Sequence, residues 1–541
     1  MITAASATDS TKSASAKVTI SGSATVGTLK GQYAFLIQAP TGNPTDRGIT
    51  TFVGSVTLDG AGNVTGGMED IVSPLYDDQG DPILATVAGQ TPTSHYTVDA
   101  SGHGTLEMLT MNMEDLVVRF VATSPSHALV IEADGNPGSG TMDLQTTPFS
   151  ASQISGNYSF TLTGINAMTT PAPELAFGGI LSVNSTSNSI TGTMDIKSSG
   201  STPLETDSIT AGSIDTGPDP ATGRGTFHFV PLSPGLTRTF VYFVVSPKVL
   251  RLLETDGQAD MGGSACAQGS ATTSLSGNYV YQHSGWNPAS AVPPTGFTVA
   301  AGEFSVAAGS TTFSGGVSDA NTGAAPPTSA TTGVAISNGS YSISTTLEGT
   351  LALTEAAGSS TFNMYMVDPT LNILDPNNTT GGGGALLLHT DANITGTGVL
   401  LPQSAPVATM FTGNYALDLQ NSIATATPDE LDLVGVFTSD GTANFTNGLA
   451  DYNQNSTVNS VLMAGAALTG TFAADTTHAG HSTGTITVTP PVGGYSFVTG
   501  ATSATAAFNA SFYQVSASQA FVIETDTQAN VAGVLVQVQL P

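Results

Sequence analysis

Carboxylates at a fixed spacing recur along this chain. Glu132 and Asp134, Glu254 and Asp256, and Glu524 and Asp526 stand two residues apart in strand-like segments, so each pair shares one face. In a further copy His389 takes the place of the glutamate, before Asp391. A second recurring set, Asp70, Asp195, Asp319 and Asp451, follows short glycine-containing stretches. Two chemistries suit such groups. As hard oxygen ligands, Glu132, Asp134, Glu254, Asp256, Glu524 and Asp526 could hold Ca²⁺. As structural devices, carboxylates at strand ends accept backbone N–H bonds and anchor turns. No segment has the dense aspartate spacing of a calcium loop, and recurrence in every copy suits a requirement of the fold better than a site. No resident cofactor is therefore expected, and calcium is the one metal these groups would fit.

The other reactive residues do not assemble into a site. His478 and His481 lie three apart in a Gly/Ser/Thr-rich loop without a cysteine or carboxylate at ligand spacing. Gly381 to Gly384 match a phosphate loop only in glycine content, since no Gly-Lys-Ser/Thr follows. Cys266 is the single cysteine and reads as a small residue filling a strand position, so no intrachain disulfide exists. Trp286, the single tryptophan, lies among polar residues and could stack on a sugar ring or cap one end of a domain. An enzyme would need one copy to gain a compact catalytic cluster. None does, and the chain is expected not to be an enzyme.

The elements that must position these residues come in four copies. Gly31-Gln32-Tyr33, Gly156-Asn157-Tyr158, Gly277-Asn278-Tyr279 and Gly413-Asn414-Tyr415 each open a block of about 120 residues, an ordinary domain size. The blocks close on Val130 to Asp134, Leu252 to Asp256, Leu387 to Asp391 and Val522 to Asp526. Segments such as Tyr33 to Ile37 and Tyr158 to Leu162 alternate large apolar with smaller residues, the signature of a half-buried strand. Asp59-Gly60 and similar pairs supply hairpin turns. The domains expected are 27–148, 149–272, 273–407 and 408–541, preceded by a segment 1–26. The fold class expected is all-β: tandem antiparallel domains, each an eight-stranded up-and-down barrel, with a β-sandwich as the alternative. In strand number and order the block resembles the avidin or lipocalin type of barrel. Linkers between blocks are short, which predicts a semi-rigid string.

Ten Lys and Arg face forty Asp and Glu, a formal charge of −30. That balance opposes binding to nucleic acid or anionic lipid, which need basic patches. Charged residues make up only 9% of the chain, so Ser, Thr, Asn, Gln and Gly must cover its surface. No stretch approaches the roughly 20 apolar residues of a membrane-spanning helix.

Residues 2–20 run from Ile2-Thr3-Ala4-Ala5-Ser6 through Asp9-Ser10-Thr11-Lys12-Ser13-Ala14-Ser15-Ala16 to Val18-Thr19-Ile20. This resembles the last two strands of bacterial immunoglobulin-like domains that occur in tandem on surface proteins. The resemblance implies an exported protein, of which this chain is the carboxy-terminal portion, since no signal peptide precedes it. A lone hairpin is marginal in water, so residues 2–26 are expected to be disordered, docked on the first domain, or donated to a neighbouring molecule. The function expected is that of a non-enzymatic structural or adhesive protein, extracellular or at the cell surface. Self-association into fibres or surface layers is the expected partnership. The alternative is an extracellular barrel that binds a carbohydrate or small apolar ligand.

Overall fold

The computed structural model describes residues 2–5, 13–16, 26–41, 48–74, 77–86, 93–112, 115–134, 137–200, 204–231, 235–287, 291, 296–323, 329–404, 411–421, 430–455, 461–495, 504–526 and 530–540. The molecule is all-β. Among the described residues the only helical segments are two short 3-10 turns, Val26–Thr28 and Ala151–Ile154, and no helix is long and apolar enough to cross a membrane.

The second repeat is a closed eight-stranded meander, from Gly156–Asn166 through Glu174–Asn184, Ser189–Ser198, Glu205–Thr216, Arg224–Pro231, Arg238–Ser246 and Val249–Glu254 to Ala259–Ala267. Closure comes from the last strand pairing back on the first, with Leu162 opposite Gly263. The fourth repeat closes in the same way, from Thr412–Asn421 to Val531–Gln537. The barrel rather than the sandwich is therefore the fold.

The first and third repeats are curled sheets of nine and ten strands. The difference lies in one strand. Glu205–Thr216 of the second repeat pairs with neighbours on both sides. In the first repeat its counterpart is split into Asp77–Ile83, on one sheet edge, and His95–Val98, on the other. Pro82 sits at the break and has no N–H to give to a ladder. The seam is stitched instead by an isolated bridge between Ile83 and Thr110 and by the Leu84 N–H donating to Leu109 at 2.8 Å. The third repeat splits likewise, into Ser329–Ala335 and Asn338–Ile343.

Period two decides what fills each barrel. Tyr33, Phe35 and Ile37 point inward in the first repeat, as Tyr158, Phe160 and Leu162 do in the second. Each interior is a packed cluster of aromatic and aliphatic side chains. The outward faces are apolar as well, and they meet. Ala34 and Val53 of repeat 1 pack with Phe243 and Leu253 of repeat 2 and Tyr365 and Leu388 of repeat 3. Val280 and Val299 of repeat 3 pack with Phe521 and Ile523 of repeat 4. Val121, Leu129 and Ile131 of repeat 1 pack with Val434 and Val436 of repeat 4. The expected string thus closes into a ring, because its strands bury both faces.

The amino-terminal hairpin pairs with itself. Ile2–Ala5 and Ser13–Ala16 form a two-stranded antiparallel sheet of their own, Ile2 opposite Ala16. The remainder of segment 1–25 lies outside the described residues.

Candidate functional site: the barrel joints and an axial cavity

The recurring aspartates stand at the joints between barrels. Asp70 accepts two hydrogen bonds from the Arg224 guanidinium of repeat 2, at 2.7 and 2.6 Å. Asp195 accepts from Tyr365 Oη at 2.5 Å and Asn363 Nδ2 at 2.7 Å, both of repeat 3. Asp319 faces His481 at 3.0 Å and accepts from Tyr513 Oη at 2.8 Å, both of repeat 4. Asp451 closes the cycle, 2.9 Å from His103 of repeat 1, with Arg119 at 3.9 Å. Each repeat therefore reaches the next, and the fourth reaches the first. A Cβ at Gly178 would lie 2.5 Å from the Tyr365 ring, so glycine there is what lets this tyrosine reach Asp195.

The strand-end phrases meet the same joints. Two residues beyond its aspartate, Lys197 donates to the Asp391 carbonyl at 2.6 Å. Asn321 and Asn453 donate in the same way to the carbonyls of Asp526 and Glu132, at 2.9 and 3.0 Å. The second acid of each phrase binds backbone within its own barrel. Asp134 accepts from the Val117 N–H at 2.6 Å, Asp256 from Thr239 at 2.9 Å, and Asp526 from Asn509 at 2.6 Å. Glu254 meets Arg238 at 2.6 Å. Burial pushes the Glu132 carboxyl well up, helped by Asp134, Asp432 and Glu69. Among the described residues none of these pairs belongs to a three-ligand cluster of metal-binding size.

In the third repeat, His389 joins a chain inside the barrel. Its Nδ1 lies 2.8 Å from Asp391 and its Nε2 lies 3.0 Å from His283 Nδ1. The other His283 nitrogen lies 2.9 Å from Glu355, which also accepts from Tyr281 Oη. Burial pushes the His389 imidazole down to about 4. The two imidazoles and Glu355 are buried, so the chain satisfies its own polar atoms within the core.

His481 bridges Asp475, at 3.0 Å, and Asp319, and His478 contacts Asp475 too, at 3.0 Å, so a carboxylate three residues before His478 does serve the pair, contrary to the sequence expectation. Cys266 is buried between repeats, and burial pushes its thiol up to about 11. Gly381 to Gly384 all have positive φ, from 72° to 150°, and fold the chain back so that Gly383 N–H meets the Leu371 carbonyl. They end a loop, residues 368–384, that only the third repeat carries. This loop crosses to its neighbours: Asn372 donates to Gln519 of repeat 4 at 2.8 Å, and Asn377 to the Ser126 carbonyl of repeat 1 at 3.0 Å.

A cavity of about 480 Å³ lies where all four barrels meet. The outward positions three and five residues after each opening tyrosine line it: Leu36 and Gln38, Thr161 and Thr163, Gln282 and Ser284, Asp418 and Gln420. Trp286 continues this face and meets Phe297 edge-on, ring centroids 5.1 Å apart. Ile373 and Leu374 of the crossing loop add apolar wall. Asp418, Glu430 and Asp432 line the cavity too, with exposures of 3, 6 and 1%. Burial pushes the Asp418 carboxyl up to about 7, and it pushes Glu430 and Asp432 well up too. Beside them, His127 lies 2.8 Å from Asp143, which is paired with Arg251, and Asp375 completes a buried trio.

Trp286 is thus the one sequence-level ligand candidate that reaches the cavity. The cavity acids lay outside the sequence expectation, although a signal existed. Asp418 is a charge where its counterparts are Leu36, Thr161 and Gln282, and Asp432 is one where its counterparts are Thr51, Ala176 and Val299.

No protein-family model matches the chain, and no curated protein matches it. Among solved structures, it is similar to intact Ap-TbpB (N and C lobes), with 9% identity over 94% of each chain and a TM-score of 0.17. It is similar also to a mutant of the vaccine antigen transferrin binding protein B from Haemophilus parasuis, with 9% identity over 96% of this chain and 98% of that one and a TM-score of 0.19. Scores this low carry no common arrangement of domains and no functional inference.

Proposed function

We propose that the chain is a non-enzymatic structural or adhesive protein of the cell surface or extracellular space, a rigid block of four barrels. One observation carries this reading: each barrel interior is filled by its own Tyr, Phe, Leu and Met side chains, which among the described residues leaves no ligand cup in a barrel mouth. The residues that recur in every copy are spent on joints and strand ends rather than on an open site. The low content of ionic side chains and the polar Ser/Thr surface suit exposure outside the cell. Assembly into fibres would use the amino-terminal hairpin, whose two strands pair, among the described residues, only with each other. Its free edges are the type of strand that a neighbouring sheet can accept.

Light scattering after size exclusion, with electron microscopy of the full chain at high concentration, tests the assembly. Concentration-dependent oligomers or filaments are expected, and a population of monomers alone would contradict it. A ligand-binding reading is favoured by a separate observation, the axial cavity between barrels.

A further inference from the structure

We propose that the axial cavity binds a small organic amine, its ammonium held by Asp418, Glu430 and Asp432 and its apolar body packed against Trp286, Phe297 and Leu374. Three observations lead there. The first is size: about 480 Å³ falls within the range of pockets for small organic ligands and far exceeds a metal ion.

The second is the state of the acids. Asp418 Oδ1, Glu430 Oε2 and Asp432 Oδ2 are buried on this wall, and none has a hydrogen-bond partner among the described residues. Buried carboxylate oxygens normally find a partner, and an ammonium supplies both donors and charge. Arg251, the one arginine or lysine on the wall, is already engaged by Asp143, Ser264 and Thr141. Among the described residues the three acids form no three-ligand cluster of metal-binding size, whereas an ammonium is satisfied by the oxygens of one or two of them. The trio that does form such a cluster among the described residues is His127, Asp143 and Asp375, where Arg251 already balances Asp143.

The third observation is the aromatic part of the same lining. Trp286 and Phe297 offer aromatic surface to an apolar body, and their faces also attract a cation. Gln420 is exposed, marks the mouth of the cavity, and donates to Asp418 at 3.0 Å. The net charge of −30 further concentrates cations around the molecule.

Because burial favours the protonated acids, a bound ammonium must displace protons. Amine binding therefore strengthens as pH rises. Calorimetry on the full chain with phenethylamine, 2-phenylethanol and glucose, at pH 6 and pH 8, tests the proposal, with Trp286 emission as a second readout. Phenethylamine is expected to bind one per chain, at least about tenfold more tightly than the alcohol, more tightly at pH 8, and with a shift in emission. Asp432→Asn with Glu430→Gln should weaken it by about tenfold or more. Gln420→Lys, at an exposed position that leaves the fold intact, should abolish it by placing a competing ammonium at the mouth. The proposal is overturned if phenethylamine gives neither heat nor an emission change at millimolar concentration, or if the alcohol or glucose binds as well. Binding that survives both substitutions overturns it too. None of these outcomes bears on self-assembly, so the two readings fail separately.

Discussion

Asp70 is fully buried and receives both arms of the Arg224 guanidinium from the next repeat, together with the Gly80 N–H at 2.8 Å. Removing one partner of such a pair strands a charge in the interior, which is far costlier than removing both. Arg224→Ala should therefore lower stability by about 3 kcal/mol, whereas pairing it with Asp70→Asn should recover much of that loss. Denaturant titration of the single and double variants checks this, and equal losses in both would contradict it. The aspartates themselves were legible in the sequence as a recurring set, and their structural weight followed from that recurrence. Their partners were not legible. Arg224, Tyr365, His481 and His103 span three residue types, and each belongs to a different block from the aspartate it serves. Only folding brings them within reach.

At the scale of elements, the joints differ in how they respond to protons. The joints into and out of repeat 4 rest on His481 and His103. Burial works against both imidazolium ions, but Asp319 and Asp451 more than offset it and raise the two pKa values above the ordinary histidine range. A raised histidine contributes stability that is complete below its unfolded value, about 6.5, and is lost as pH rises through the folded value. Asp418, on the first strand of repeat 4 and raised to about 7, acts in the same sense: its contribution is complete below about 4 and fades toward 7. Repeat 4 should therefore loosen first as pH rises from 6 to 9, while the Arg224–Asp70 joint holds. Hydrogen exchange, corrected for the intrinsic rate, should show protection falling in Val461–Ala474 and His481–Thr489 before it falls in Arg224–Pro231. Uniform loss of protection across the ring would contradict this. The strands were readable from period-two alternation and hairpin turns. The split fourth strand was not, because pairing on both sides of a strand is a non-local property.

Four filled barrels make a ring when the outward faces of their strands are also apolar. That signal was present in the sequence as unbroken apolar runs, such as Ala128 to Ile131 and Phe240 to Val245, which suit strands buried on both faces. The short linkers then act as corners rather than spacers. Gln145, just before the first linker, donates to the Val244 carbonyl of repeat 2 at 2.7 Å, and Gln403, just before the third, donates to the Gln514 carbonyl of repeat 4 at 2.9 Å. The chain end completes the circuit: Gln539 N–H donates to Thr123 of repeat 1 at 2.6 Å, and Leu540 packs on that barrel's core. Ring closure creates the axial cavity, so the ligand-binding reading depends on it. Small-angle X-ray scattering of the full chain in dilute solution tests closure most directly. The closed ring predicts a radius of gyration of about 24 Å, the scaling value for a compact chain of this length, whereas four barrels in an open string would give roughly 40 Å and contradict the account.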